Sequence, residues 1–428
     1  MTRCISTCLV ACMLLACPAP DDDSDDTTAT LTDSGIPTLS GTTTDDSAEA
    51  TSLPTTGETG ETGESSTTGI AEEPPNCGLA LIQARVEIPR VMLVLDKSGS
   101  MVSDNGGYWD ADGDDADDDG FVDSDPGTPA TPRVTRWQSL HETVQFIVGD
   151  FESRMDFGAV LFPSLAAKGI YSAAACPVSA APDVALGPDQ GAEILATIPA
   201  ADSLKLAGGT PATAGMLTGI AGLATADVEE DARDKYVILV TDGAANCPLE
   251  PVDADPASLF ENYDEMLPVV VADALAAEIP TFVVGIDIAD VTSSSAQDGN
   301  PDATNAYQRL NDVALAGGMP REGAEKFYNT ANQLELQAAL MKISEQITSC
   351  VFELDKPLQA IQYLDEVIID EDGPNPLHYD KHQVTDCASE SGWHFTDPTR
   401  SAIELCGDAC TLFKQTGEVE LTFQCTAG

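Results

Sequence analysis

The run Val91-Met92-Leu93-Val94-Leu95 carries no polar side chain and stops at Asp96. So short an apolar run, bounded by polar residues, reads as a strand buried on both faces. Such strands belong to parallel sheets covered by helices on each side. Similar runs recur at 157–162, at 236–240 before Thr241-Asp242-Gly243, and at 281–286, with a shorter one at 326–328. Between them lie stretches of helical period. In the first, 137–151, Leu140, Val144, Ile147, Val148 and Phe151 form one stripe. Further helices are predicted over 213–223, 267–277, 307–316 and 334–347. Strands alternating with helices predict an α/β fold with a doubly wound, mostly parallel sheet.

In open α/β sheets, ligands bind just outside the carboxyl ends of the strands. At that place on the first strand the chain reads Asp96-Lys97-Ser98-Gly99-Ser100. One carboxylate and two hydroxyls are hard oxygen donors, the set that suits magnesium, calcium or manganese. The flanking glycines of a nucleophilic-serine elbow are missing, so no acyl-transfer chemistry is expected. A simpler role is open to the serines, as caps of the next helix.

Thr210, after Gly208-Gly209, and Asp242, after the 236–240 run, add a third hydroxyl and a second carboxylate. The order and spacing of Asp96-x-Ser98-x-Ser100, Thr210 and Thr241-Asp242-Gly243 resemble the von Willebrand factor type A domain with its metal-ion-dependent adhesion site, over about residues 85–350. The resemblance implies that Ser98, Ser100 and Thr210 offer hydroxyls to magnesium or manganese. It implies that Asp96 and Asp242 bind directly or through water, and that a Glu or Asp of a partner protein completes the shell.

In that family the next helix starts soon after the second serine. Here residues 104–132 intervene, with ten aspartates from Asp104 to Asp125. Asp110, Asp112 and Asp114 form one alternating set. Asp115, Asp117, Asp119, Gly120 and Asp123 match positions one, three, five, six and nine of an EF-hand-type loop, but Pro126 stands where the bidentate Glu belongs. The reading is calcium binding in a helix-free loop, with a disordered acidic insert as the alternative.

The net charge of -53, from 72 acidic and 19 basic residues, excludes a nucleic-acid partner, which needs clustered cations. Residues 1–17 carry one arginine and an apolar stretch too short to span a bilayer, ending Leu14-Leu15-Ala16-Cys17. They resemble a bacterial lipoprotein signal, which implies lipidation of Cys17 and anchoring at the cell envelope or surface. An ordinary secretory signal is the alternative. Residues 18–76, rich in Thr, Ser, Gly and acid, are expected to be a disordered linker.

Eight of the twelve cysteines remain beyond position 17, an even number that in an exported chain points to disulfides. Cys77 with Cys350 is one pairing, and Cys350 with the C-terminal region another. Cys176 with Cys247 would tie two loops. Residues 351–428 hold four cysteines, short strand-like runs at 367–369, 393–395 and 419–423, and Trp393 as a core candidate. This segment is expected to be a small β-rich, disulfide-stapled module following a domain over 77–350. His378-x3-His382 reads as surface loop. The function expected is metal-dependent protein binding by an exported, membrane-anchored protein, without enzymatic chemistry. A calcium-stabilised structural envelope protein is the alternative.

Overall fold

The computed structural model describes residues 84–86, 88–102, 107–117, 119–131, 133–225, 233–249, 255–371 and 373–426. The expected signal, the linker and Cys77 lie outside them. The first apolar run becomes β1 (Arg90–Asp96), buried at every position. Five more strands complete its sheet: β2 (Asp156–Phe162), β3 (Val184–Gly187), β4 (Lys235–Thr241), β5 (Thr281–Ile286) and β6 (Tyr328–Thr330). Their order is β6-β5-β4-β1-β2-β3.

Alternation of side chains decides how the two faces are filled. Val91, Leu93 and Leu95 point to one face with Phe157, Leu161, Ile238, Val240, Phe282 and Val284. That face is covered by α1 (Arg136–Phe151), α2 (Gly191–Thr197) and α6 (Gln333–Ile347). Met92 and Val94 point to the other with Val160, Phe162, Val237, Leu239 and Val283, under α3 (Ala212–Thr225), α4 (Leu267–Ala276) and α5 (Ala306–Ala316). The doubly wound α/β fold is therefore observed. β1 pairs in parallel with β2 on one side and β4 on the other. The strand order reverses at β1, which opens a crevice at its carboxyl end beside that of β4.

Two details of the sheet depart from expectation. β3 is an added edge strand, antiparallel to β2. The expected strand at 326–328 lies two residues later, because Phe327 is drawn into the core and Tyr328–Thr330 pair with Val284–Ile286.

The C-terminal strands are β7 (Val351–Leu354), β8 (Gln362–Ile369), β9 (Leu377–Asp380), β10 (Gly392–Phe395), β11 (Ala402–Cys406) and β12 (Val419–Cys425). They surround a core containing Trp393, Leu364, Val367 and Phe413. A helix, α7 (Asp408–Thr416), was not foreseen. The expected boundary at residue 350 is crossed by the chain: Ala84–Val86 pairs antiparallel with β7 and extends this second sheet.

Cys176 is bonded to Cys247, Cys350 to Cys410 and Cys387 to Cys406, and Cys425 is also disulfide-bonded. The Cys77–Cys350 alternative is thereby overturned. Cys350 leads directly into β7, which places its sulfur beside α7. Among the described residues no helix is long and apolar enough to cross a membrane.

Candidate metal centre

The end of β1 supplies Asp96, which is fully buried. Its Oδ1 accepts from the Ser98 backbone N–H at 2.7 Å, bending the chain so that the two serines face back over the strand end. Its Oδ2 accepts from Thr241 Oγ1 at 2.7 Å, which locks the ends of β1 and β4 together. Ser100 Oγ donates to Asp242 Oδ1 at 2.8 Å, and Ser98 Oγ lies 2.9 Å from Ser100 Oγ. Ser100 has a single hydroxyl proton, already given to Asp242, so Ser98 is the donor of that pair.

Thr210 reaches the same place from a loop. Its N–H donates to Asn246 Oδ1 at 2.6 Å, and the Asn246 N–H returns a bond to Thr210 O at 3.0 Å. The loop approaches closely enough that a Cβ on Gly209 would lie 2.7 Å from both Asn246 Oδ1 and Cys247 Sγ. Glycine is required there by space. The Cys176–Cys247 disulfide and Phe260 pack beneath the loop. Ser98, Ser100, Thr210, Asp242, Asn246 and Arg136 line one open cleft of about 620 Å³. Four of the five residues expected from the sequence thus line the cleft, while the fifth, Asp96, lies buried beneath it and is tied to it through the Ser98 N–H and Thr241.

The donor set fits a small divalent cation. In an octahedral magnesium shell with bonds of about 2.0–2.1 Å, neighbouring oxygens are separated by about 2.9 Å. The hydrogen-bonded spacings Ser98 Oγ–Ser100 Oγ, 2.9 Å, and Ser100 Oγ–Asp242 Oδ1, 2.8 Å, are also compatible with two such edges. The charge balance agrees. Burial, and then the neighbouring Asp242 carboxylate, push the Asp96 pKa up to about 7. Burial also raises that of Asp242, against the opposing pull of Arg136. Two crowded carboxylates out of contact with water are stabilised by a cation.

Three contributors escaped the sequence reading. Arg136, the first residue of α1, donates from Nη1 to Asp242 Oδ2 at 3.3 Å and from Nη2 to Asp287 Oδ2. Asp287 follows β5 directly. Lys97, only 3% exposed, points behind the site and donates to Ala207 O at 3.4 Å, bracing the loop that carries Thr210. Burial lowers its pKa. The contacts of Arg136 and Asp287 span more than a hundred residues. Only the scarcity of cations in so acidic a chain could have drawn attention to Arg136.

The aspartate insert has defined structure among its described residues. Tyr108–Trp109 pairs with Val134–Thr135, and Trp109 Nε1 donates to Ser139 Oγ on α1 at 2.7 Å. Phe121–Val122 pairs with Asp125–Pro129. Asp110 accepts from the Asp112 and Asp115 N–H groups, and Thr131 Oγ1 donates to Asp112 at 2.5 Å, with Asp114 Oδ2 3.4 Å away. Asp115 accepts from the N–H groups of Asp119 and Gly120, both at 2.9 Å. Gly120 takes a φ of 87°, the turn expected of it. Carboxylate oxygens of Asp115, Asp117 and Asp119 lie within 4.8 Å of one another. Asp123 Oδ2 stands 3.4 Å from the Ala116 N. His378 is exposed on β9 rather than in the expected loop and faces Glu366, while His382, exposed just after that strand, is paired with Asp380.

No family model and no curated protein matches the sequence. Among solved structures, the chain is similar to the pilus adhesin SpaC of Lactobacillus rhamnosus GG, with 16% identity and a TM-score of 0.40 over 68% of this chain and 33% of that one. The PilB minor pilin of Streptococcus sanguinis gives 18% identity and 0.36, over 61% and 62%. The vWF domain of the type V pili tip protein Mfa5 of Porphyromonas gingivalis gives 13% and 0.37, over 62% and 96%. The chain thus spans about a third of the adhesin's length. At these scores the fold assignment rests on strand order and register alone.

Proposed function

We propose that this is an exported surface protein of the adhesion type, which binds an acidic residue of a partner protein at a magnesium or manganese site in the cleft at the end of β1. The observation that carries the reading is the run of oxygens Ser98 Oγ, Ser100 Oγ and Asp242 Oδ1 at octahedral edge spacing on the rim of an open cleft. A bound divalent cation supplies a Lewis-acidic pole for one carboxylate oxygen of a Glu or Asp.

The protein's own residues do the positioning. Asp96 holds the Ser98 backbone and, through Thr241, keeps the ends of β1 and β4 in register. Asn246 holds Thr210 at the opposite wall. These contacts are preformed, so little ordering is left to be done on binding.

The disulfides Cys176–Cys247, Cys350–Cys410 and Cys387–Cys406 suit an oxidising, extracytoplasmic setting. Anchoring through a lipidated Cys17 belongs to the same proposal. Labelling of the full chain with a palmitate analogue, lost in Cys17→Ala, supports it, and labelling that persists in that variant refutes it. Capture of a partner from envelope extract in Mn²⁺ should be abolished by EDTA and by Asp242→Ala. Capture unchanged by both ends the adhesion reading.

A second reading, a calcium-stabilised structural envelope protein, is favoured by the gathered carboxylates of Asp115, Asp117 and Asp119. The two readings are compatible in one chain, with Asp110, Asp112, Asp114 and Asp123 contributing to the calcium-dependent order of the insert.

A further inference from the structure

We infer that Glu261 is a positioning residue of the cleft, which holds Thr210 at its ligand position through a run of hydrogen bonds; the inference rests on the cation reading above. Glu261 ends the short helix Ser258–Glu261 and is 8% exposed. Its Oε1 accepts from Tyr171 Oη at 2.6 Å and from the Gly299 N–H at 3.2 Å. Its own carbonyl accepts from the Asp302 N–H at 2.8 Å. One residue thereby joins the loop after β2, which carries Tyr171, to the loop after β5, which carries Gly299. Both loops form walls of the cleft, the first through Ile170 and the second through Asp298, Gly299 and Asn300.

Gly299 is gripped from two sides. Its N–H goes to Glu261, and its carbonyl accepts from Asn246 Nδ2 at 3.0 Å. That second bond fixes which way round the Asn246 amide lies, and leaves Oδ1 to accept from the Thr210 N–H at 2.6 Å. Hydrogen bonds therefore run without a break from Glu261 through Gly299 and Asn246 to Thr210. Gly299 sits at a φ of 86° and has no side chain to anchor it, so its place depends on these bonds. Asn246 and Thr210 are 2% and 6% exposed, which leaves little room for water to stand in for a lost partner.

The carboxylate itself is costly. Glu261 Oε2 is buried without a hydrogen-bond partner, and no cation pairs with the side chain among the described residues. What Glu261 supplies in return is one oxygen that accepts from two donors on separate cleft walls. Groups that orient a metal ligand without touching the metal govern its affinity in this way.

The test uses the full chain as wild type, Glu261→Gln, Glu261→Met, Asn246→Ala, Thr210→Ala and the Thr210→Ala/Glu261→Met double variant. Glutamine keeps the Oε1 acceptor, and methionine has similar length without it. The metal-free readout is amide hydrogen exchange over residues 207–212 in EDTA, followed by mass spectrometry. The metal readouts are Mn²⁺ affinity by electron paramagnetic resonance and the water proton relaxation of the loaded protein. Glu261→Met should speed exchange over this segment, weaken Mn²⁺ about tenfold and raise relaxation as a water takes the place of Thr210. Glu261→Gln should stay near wild type in all three. Asn246→Ala cuts the same run at its next link and should reproduce the Glu261→Met effects, so it carries the test should that variant fail to fold. The double variant should bind Mn²⁺ no more weakly than Thr210→Ala alone, because both changes act on one ligand. Wild-type exchange and affinity in Glu261→Met or Asn246→Ala, Glu261→Gln as weak as Glu261→Met, or additive losses in the double variant overturn the inference while the cation reading stands. A wild-type chain that takes up no Mn²⁺ overturns the cation reading and this inference with it.

Discussion

Asp96→Asn is expected to make the metal-free protein more stable at alkaline pH, although it damages the site. Asp96 is fully buried, and burial with the adjacent Asp242 carboxylate raises its pKa from 3.8 to about 7. For an acid raised in the folded state, the stability it contributes is fully present below pH 3.8 and is lost as the pH rises through about 7. At about 1.4 kcal/mol per unit, the shift sets a ceiling of about 4 kcal/mol lost by pH 8. Asparagine has the same shape and still accepts from the Ser98 N–H. Its amide nitrogen faces Thr241 Oγ1, whose hydroxyl must turn round, which costs about 1–2 kcal/mol. A net gain of about 2 kcal/mol remains, or roughly 4–8 °C in melting temperature. The assay is thermal unfolding by circular dichroism in EDTA at pH 8 and pH 5. The gain should be present at pH 8 and shrink at pH 5, where the wild-type carboxyl is already protonated. A variant that melts below wild type at both pH values refutes the view of Asp96 as a carboxylate under electrostatic stress.

Other expectations follow from the loop and the insert. Gly209→Ala forces a Cβ against Asn246 Oδ1 and Cys247 Sγ, so it should cost about 1–3 kcal/mol in denaturant titrations and weaken Mn²⁺ uptake by displacing Thr210. The Cys176→Ser/Cys247→Ser double variant opens a loop of sequence separation 71 and should lose roughly 3–4 kcal/mol, read as a lower denaturation midpoint; an unchanged midpoint would count against a structural role for this bond. Calcium should raise the melting temperature of the wild type but not of an Asp115→Asn/Asp117→Asn variant, and an equal rise in both would exclude calcium from that loop.

The sheet was legible because burial on both faces leaves so little choice of residue. Val91–Leu95 and Phe282–Ile286 admit no polar side chain, and their ends are marked by Asp96 and Asp287. β3 was not legible: it has four residues, three of them partly or fully exposed, and only one side paired. α7 was hidden because only Ala409 and Phe413 are buried along it, too few to display a helical stripe. The five expected ligand positions could be named because each follows a strand or a glycine pair in a recognisable pattern. Arg136 belongs to no local pattern. Its role appears only when β4 and β5 are side by side, and its partners lie 106 and 151 residues away. The Cys350 alternatives also needed the fold, since proximity in sequence gives no preference between Cys77 and Cys410.

The account stands most directly on stoichiometric cation binding in the cleft. Mn²⁺ titration of the full chain by electron paramagnetic resonance, with the Asp115→Asn/Asp117→Asn variant as background so that the insert does not contribute, isolates it. One strongly held Mn²⁺ per chain is predicted, lost in Asp242→Ala and weakened in Ser100→Ala. A Mn²⁺ ion that binds as tightly after Asp242→Ala, or no tightly bound ion in the background variant, would contradict the account.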